Sequence, residues 1–95
     1  MTKKYTIKYA TAFKKSIKDF RHNKQILDAI TMIINKLANN EKLEPQYHDH
    51  SLTGNLKDCR ECHIKPDLCL IYQKQDENLI LYCLDIGSHS ELFKK

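Results

Sequence analysis

The chain has 95 residues, of which 41% are hydrophobic, and it contains only two Gly and two Pro. This composition excludes a disordered, collagen-like or loop-rich disulfide protein, and the length allows a single domain, residues 1–95, with one modest core. The first 24 residues carry eight Lys or Arg against one acidic residue, a local charge of +7, whereas the remainder carries −3. Such a separation favours a polyanionic partner, with nucleic acid the leading candidate, although a solvated helix face also fits.

The N-terminal segment is basic but leads into no apolar stretch, and nowhere do eighteen apolar residues run together. We therefore expect a cytoplasmic protein without membrane association. A reducing compartment keeps thiols free, so we expect four free cysteines rather than two disulfides.

The first predicted elements are a short strand and a basic helix. Residues 5–9 alternate and are rich in aromatic and β-branched side chains, which is typical of a strand. From Thr11 onward the period changes, since Phe13, Ile17 and Phe20 recur at helical spacing. A second stripe, about 100° around the same helix, is cationic. It consists of Lys14, Lys18 and Arg21.

A second apolar repeat predicts a longer helix. It begins near Asn23, which suits a turn or cap, and it ends at the amide pair Asn39 and Asn40. Its apolar positions are Ile26, Ile30, Ile33 or Ile34, and Leu37. Because the connection between the two helices is short, we expect them to lie antiparallel or at a sharp angle.

Three apolar runs follow a predicted loop over residues 41–54. They cover residues 59–64, 68–72 and 79–84, and the gaps between them are short enough for hairpins. The resulting order, β-α-α-β-β-β, predicts an α+β fold in which two N-terminal helices pack on a small antiparallel sheet. The last two runs are almost continuously apolar, which predicts central strands that are either buried on both faces or strongly twisted around a helix.

Three histidines fall at the ends of these elements, namely His50 in the loop, His63 in the first run and His89 near the C-terminus. Side chains alternate along a strand, so if Cys62 and Ile64 face the core, His63 points outward. Imidazole titrates near neutral pH, so converging histidines with a carboxylate would supply proton transfer without a cofactor. Each histidine taken alone also fits an ordinary surface residue.

The cysteines raise metal and haem alternatives. Cys59, Cys62 and His63 match the C-x-x-C-H pattern of haem attachment, but in a strand the two thiols would face opposite ways. The same opposition argues against a disulfide between them, whereas one of these thiols with His48 or His50 stays open as a zinc site. Cys69 and Cys83 lie in apolar runs, and we interpret them as small buried hydrophobes.

Taken together, four segments resemble a known family. Residues 48–54 (HDHSLTG), 60–68 (RECHIKPDL), 70–72 (LIY) and 87–93 (GSHSELF) are similar to the YafQ-type branch of the RelE/ParE toxin superfamily. The resemblance covers essentially the whole chain and agrees with the predicted element order. It implies the toxin of a bacterial type II toxin–antitoxin pair, an endoribonuclease that cuts mRNA in the ribosomal A site and is held inactive by a cognate antitoxin.

The resemblance also implies functional residues. The family's positions transfer to His50, His63, Asp67 and His89 as catalytic groups and to Phe93 as a base-stacking residue. Cleavage of RNA without a metal or cofactor needs a base for the 2′-OH proton, an acid for the leaving 5′-oxygen and cations on the phosphate. We assign His50, with His63 and Asp67, to the base side and His89 to the acid. The predicted RNA-binding cations are Arg60, Lys57, Lys65, Lys14, Lys18 and Arg21.

One position departs from the family. Where the family usually has an arginine two residues before the Gly-Ser/Thr-His motif, this chain has Asp85, so Arg60, Lys57 or Lys65 must take over that role or activity is reduced. Phe93 also fits a C-terminal core anchor. Two other functions stay open, namely a ParE-like inhibitor that acts by protein contact and a Cys/His metal-binding protein.

Overall fold

The computed structural model describes residues 4–93, without the side chain of Asn55. Its strands are β1 (Thr6–Tyr9), β2 (His50–Ser51), β3 (Arg60–Lys65), β4 (Leu68–Gln75) and β5 (Ile80–Gly87). Its α-helices are α1 (Thr11–Ser16), α2 (Lys24–Ala38) and α3 (His89–Leu92), and short 3-10 turns cover Ile17–Phe20, Pro45–Tyr47 and Gly54–Leu56. The expected α+β fold with its order of elements is confirmed.

The five strands form one mixed sheet in the order β1-β5-β4-β3-β2. Three pairings are antiparallel, but β1 runs parallel to β5. The prediction of an antiparallel sheet is therefore wrong for the edge that β1 forms. Parallel neighbours need a long connection, and the two helices with the meander supply it. The two-residue strand β2, which sequence analysis treated as loop, adds the opposite edge.

One face of the sheet packs on α2 to form the core. The helix begins at Asn23, whose side chain accepts a hydrogen bond from the backbone N–H of Ile26, so the predicted cap is confirmed. The helix buries one apolar side and ends at Ala38, before Asn40 turns into the left-handed region. The buried helical side chains are Ile30, Ile33, Ile34, Leu37 and Ala38.

The first helix is shorter than its apolar period indicated. The α-helical part ends at Ser16, and the next turn tightens into a 3-10 helix. Phe13 is buried, while Ile17 and Phe20 are half-buried against the core, so the apolar stripe itself is as predicted.

The last two strands are longer than their apolar runs. Polar residues at the end of β4, from Gln73 to Gln75, pair with Tyr82, Leu81 and Ile80 across the hairpin. Apolar content therefore marked only the first part of each strand. The first five residues of β4 are buried, as expected for the middle strand of the sheet. Within residues 4–93, no helix is long and apolar enough to cross a membrane.

Candidate active site

Strand β3 sends alternate side chains to opposite faces of the sheet. Cys62 and Ile64 belong to the core that α2 covers, so Glu61 and His63 lie on the other face. The outward direction predicted for His63 is confirmed. Glu61 is nevertheless only 1% exposed, which makes it a buried carboxylate on the face that carries the histidines.

His50 reaches Glu61 because strand β2 pairs with β3 and places the two residues opposite each other. His50 Nδ1 lies 2.6 Å from the carbonyl oxygen of His48, to which it donates a hydrogen bond, and its Nε2 lies 3.1 Å from Glu61 Oε1. The Nδ1 atom of His50 carries the proton that it donates to His48. A hydrogen bond between Nε2 and the Glu61 carboxylate therefore needs a second proton, carried either by Nε2 or by the carboxylate. When His50 is protonated, the two side chains therefore form an ion pair.

The other two predicted histidines approach the same carboxylate. His63 Nε2 lies 3.8 Å from Glu61 Oε1, and His89 Nε2 lies 3.6 Å from Oε2. Within residues 4–93, Glu61 Oε2 is buried and has no hydrogen-bond partner. We call His50, His63 and His89 with Glu61 the histidine centre. The structure thus brings together all three histidines chosen from the sequence.

A capping box places His89 at the start of α3. The Ser88 hydroxyl accepts a hydrogen bond from the Glu91 N–H at 3.2 Å, and Glu91 Oε1 accepts one from the Ser88 N–H at 2.9 Å. A Cβ atom at Gly87 would lie 3.1 Å from Glu91 Oε1, so glycine leaves room for this cap. The sequence motif at residues 87–91 therefore serves to aim His89.

Aromatic rings continue the histidine centre along the surface. The His63 and His89 ring centroids are 6.4 Å apart, and Phe93 lies 4.6 Å from His89. Phe93 is half-buried and lies outside the hydrophobic core. The interpretation of Phe93 as a core anchor is therefore disfavoured, and its ring extends the row that begins at the histidines.

An open cavity of about 750 Å³ adjoins the histidine centre. His48, His50 and His63 contribute to its wall, as does Lys65 at the end of β3. His48 itself adopts a left-handed backbone conformation with φ of 48°, which is costly for a residue with a Cβ atom and turns the chain toward His50. Lys65 is thus a predicted RNA-binding cation that lines the same cavity as His50 and His63.

Arg60 and Asp67 are placed differently from the histidines. Arg60 Nε donates to Asp49 Oδ1 at 3.2 Å, and the Tyr72 hydroxyl donates to the same oxygen at 2.6 Å. Arg60 is therefore held in a network of its own. Asp67 is exposed in the turn between β3 and β4, and within residues 4–93 no hydrogen bond or ion pair joins it to a histidine. Lys57 is exposed after the short turn at Gly54–Leu56.

The cations of the first helix lie on the helical side of the molecule. Lys14 and Lys18 border an apolar groove of about 420 Å³ between α1, with its 3-10 extension, and α2. Arg21 is exposed and donates a hydrogen bond to the carbonyl oxygen of Lys18. This basic groove shares none of its lining residues with the cavity beside the histidine centre.

Asp85, the departure from the family, links β5 to α1. Its Oδ1 accepts hydrogen bonds from the Ser16 hydroxyl at 2.7 Å and from the Ile86 N–H at 2.8 Å. Through the strand pairing it lies opposite Ile71, which in turn lies opposite Glu61. At about 5 Å per strand, Asp85 is therefore about 10 Å across the sheet from the histidine centre.

Sequence reasoning missed Glu61 as a member of the histidine centre, and it treated the neighbouring Cys69 only as a buried hydrophobe. Cys69 is fully buried on β4, beside His63 in the strand pairing. Burial and the nearby charge of Glu61 raise the pKa of Cys69 to about 11. Ligand atoms of Glu61, His63 and Cys69 lie within 4.8 Å of one another, so these three residues can hold a metal ion. The available signal was the alternation that puts Glu61 on the same face as His63.

The fold and the histidine centre define a small α+β protein whose surface carries acid–base groups around one buried carboxylate. A family model described as the bacterial toxin of type II toxin–antitoxin systems, YafQ, matches residues 5–94. The chain therefore belongs to the YafQ family of toxins, as the sequence motifs indicated.

Individual relatives agree with this assignment. The mRNA interferase toxin YafQ of Escherichia coli K12 is 31% identical over 88 residues, which cover 92% of this chain and 94% of the relative. Among solved structures, a metal-bound toxin from Helicobacter pylori is 43% identical, with a TM-score of 0.85 over 94% of this chain and 99% of that one. YafQ in the E. coli DinJ–YafQ toxin–antitoxin complex is 30% identical, with a TM-score of 0.82 over 95% and 98%.

Proposed function

We propose that this toxin is an mRNA interferase, an endoribonuclease that cuts mRNA in the ribosomal A site by acid–base catalysis without a metal ion. The observation that carries the proposal is the convergence of His50, His63 and His89 on Glu61 within 3.1–3.8 Å. Three imidazoles around one carboxylate can both remove and supply protons near neutral pH. The names of the E. coli relatives support mRNA as the substrate.

In the proposed reaction, His50 removes the proton of the 2′-OH, and the resulting oxygen attacks the adjacent phosphorus. The bond to the 5′-oxygen breaks as His89 donates a proton to it, which leaves a 2′,3′-cyclic phosphate and a 5′-OH. His50 and His89 suit opposite roles because they lie nearest to different oxygens of the same carboxylate. Both side chains are at least half exposed, so RNA can reach them.

Glu61 acts in this scheme as a positioning residue. At 1% exposure it is too buried to touch RNA, but it fixes the orientation of the imidazoles and balances the charge they gain. The side chain of His63 is 27% exposed and lies between the other two histidines. In this scheme it stabilises a proton held by either His50 or His89. Asp67 stays a proposed contributor from the β3–β4 turn.

Substrate contacts come from Lys65 and Phe93. Lys65 lines the cavity together with the histidines, so we assign the phosphate-binding role to it. Arg60 and Lys57 were the other candidates for this role. Phe93, next to His89, offers a ring face on which an unstacked base can lie. Arg60, Lys57 and the helix cations would then contact more distant phosphates of the ribosome or substrate.

The cognate antitoxin is the second proposed partner. The groove bordered by Lys14 and Lys18 is apolar inside and cationic at its rim, so it fits an amphipathic segment with acidic residues beside its apolar side. Reversing both charges to Glu should weaken the antitoxin complex. The exposed Lys24, which pairs with Asp28 on α2, provides a matched charge-reversal control that should bind normally.

The direct test of cleavage is an mRNA assay coupled to translation that compares wild type with His63→Ala and His89→Ala. General acid–base groups contribute about 10²–10⁴-fold, so each substitution should lower the rate by that order. The exposed His22, outside the histidine centre, supplies the control substitution His22→Ala. Unchanged cleavage in the His63 and His89 variants would contradict the catalytic assignment of these histidines. Absence of cleavage by the wild type would instead favour a toxin that acts by protein contact.

A further inference from the structure

One buried oxygen of the histidine centre lacks a partner. Glu61 Oε2 is enclosed by protein and accepts no hydrogen bond within residues 4–93, although a buried carboxylate oxygen usually does. The nearest imidazole nitrogen, His89 Nε2, is 3.6 Å away, which is too far for a good hydrogen bond. A cation beside this oxygen would satisfy it.

Two further ligand atoms face the same space. The imidazole of His63 and the thiol of Cys69 lie with the Glu61 carboxylate inside a span of 4.8 Å. The three residues come from neighbouring strands and are paired by the sheet, because His63 lies opposite Cys69 in the β3–β4 register. The strand pairing therefore already sets the spacing of the three potential ligands.

We propose that Glu61, His63 and Cys69 form a binding site for a zinc-class divalent metal ion, with the exposed side of the ion open to water or to a neighbouring histidine. One carboxylate, one imidazole and one thiolate are all accepted zinc ligands. A thiolate ligand disfavours Mg²⁺ and Ca²⁺, which prefer oxygen. Cys69, not Cys59 or Cys62 of the C-x-x-C-H pattern, is the cysteine in this site.

Metal binding at this site would switch off the toxin. This consequence rests on the proposed function, because an ion that engages Glu61 and His63 withdraws them from the proton transfers assigned to the histidine centre. The expected effect of zinc is therefore loss of RNA cleavage at a stoichiometry of one ion per chain.

The site is tested without RNA, on the purified full-length chain. X-ray absorption of the zinc-loaded wild type should show one sulfur at about 2.3 Å together with nitrogen or oxygen at about 2.0–2.2 Å. Cobalt(II) in place of zinc should give a thiolate-to-metal charge-transfer band. Coordination by nitrogen and oxygen alone would exclude Cys69, and absence of binding would overturn the site.

Variants separate Cys69 from the other thiols. Loss of a supporting partner already lowers metal affinity by about 10–100-fold, so Cys69→Ser should weaken zinc binding by at least about 100-fold and abolish the charge-transfer band. Cys59→Ser, which changes a buried cysteine outside this cluster, should bind like wild type. Glu61→Gln should also weaken binding, which gives a second test if Cys69→Ser does not fold.

Cleavage assays then test whether zinc binding inhibits the toxin. Zinc should inhibit wild type and Cys59→Ser equally, and Cys69→Ser should resist it. If the metal-free protein does not cut RNA, the proposed function fails while the spectroscopic result stands. If zinc binds as described but cleavage continues at full rate, the site exists and the switch is overturned.

Discussion

His50 Nε2 lies 3.1 Å from Oε1 of Glu61, and the carboxylate that it contacts is almost completely buried. A buried carboxylate is costly unless its charge is balanced, and here the balance comes from imidazoles that themselves face solvent. The sheet thus places a buried carboxylate just beneath three imidazoles that can gain protons. This arrangement explains how a short chain can assemble an acid–base site without a deep cleft.

The first prediction concerns Glu61. Glu61→Gln keeps the shape of the side chain but removes its charge, so the single-turnover cleavage rate should fall at least about 100-fold while RNA binding stays unchanged. Because Oε2 has no hydrogen-bond partner, removing the charge should cost no more than about 1 kcal/mol in the free energy of unfolding, or should even raise it.

Quenched-flow cleavage, RNA titration and urea unfolding measure these three quantities. Glu77→Gln, in the exposed turn between β4 and β5, is the control and should match wild type in all of them. A Glu61→Gln protein that is strongly destabilised yet retains its cleavage rate would show that Glu61 is only structural.

The second prediction separates stacking from packing at Phe93. If a base lies on this ring, Phe93→Ala should weaken RNA binding by about 5- to 150-fold, which corresponds to about 1–3 kcal/mol for one stacked base. Phe93→Tyr should bind normally. Phe93→Leu keeps an apolar side chain but no ring face, so normal RNA binding by this variant would favour a packing role.

The third prediction contrasts two cations at the ends of β3. Lys65 lines the cavity, so Lys65→Ala should weaken RNA binding and should reduce the slope of log K against log salt by about 0.7. Arg60 is held by Asp49, so Arg60→Ala should lower the free energy of unfolding by about 1 kcal/mol instead. Binding isotherms at several salt concentrations and urea unfolding distinguish the two effects, and Lys24→Ala is the surface control.

The fourth prediction is a loss of stability at alkaline pH. Burial and then a hydrogen bond to Asp49 raise the pKa of Tyr72 above its usual 10, and burial raises the pKa of Cys83 to about 12. Because the folded state holds these protons more tightly than the unfolded state, their stabilisation is complete below the ordinary pKa values of 9 and 10 and is lost as the pH rises.

Urea unfolding between neutral pH and about pH 11 should therefore show a falling free energy of unfolding. Tyr72→Phe lacks the hydroxyl and should be less stable at neutral pH by about 1 kcal/mol but should show a flatter alkaline decline. An equally steep decline in this variant would mean that Tyr72 does not contribute.

Local patterns in the sequence were sufficient for most of the fold. The helical period of α2, its Asn23 cap and the three apolar runs depend on neighbours in the chain, and they predicted the elements correctly. The parallel pairing of β1 with β5 depends on residues about 70 positions apart, so no local pattern marks it. The polar end of β4 is strand because it pairs with the first residues of β5.

In the candidate site, too, local features were predictable from the sequence and features that depend on distant residues were not. Alternation with Cys62 and Ile64 was enough to direct His63 outward. Burial of Glu61 on that outward face was not predictable, because it requires the two-residue strand β2 to bring His50 over it. The contact between Ser16 and Asp85 also joins distant elements, and it explains how an acid is accommodated where the family usually has an arginine.

The central claim is that the histidine centre activates the 2′-OH of the RNA. It is tested most directly with a ribosome-bound mRNA that carries a single 2′-deoxy nucleotide on the 5′ side of the cleavage point. Wild-type protein should cut the all-ribose mRNA to a 2′,3′-cyclic phosphate and a 5′-OH, and it should leave the deoxy substrate intact at that point. Cleavage of the deoxy substrate, or products with a 5′-phosphate, would contradict the account.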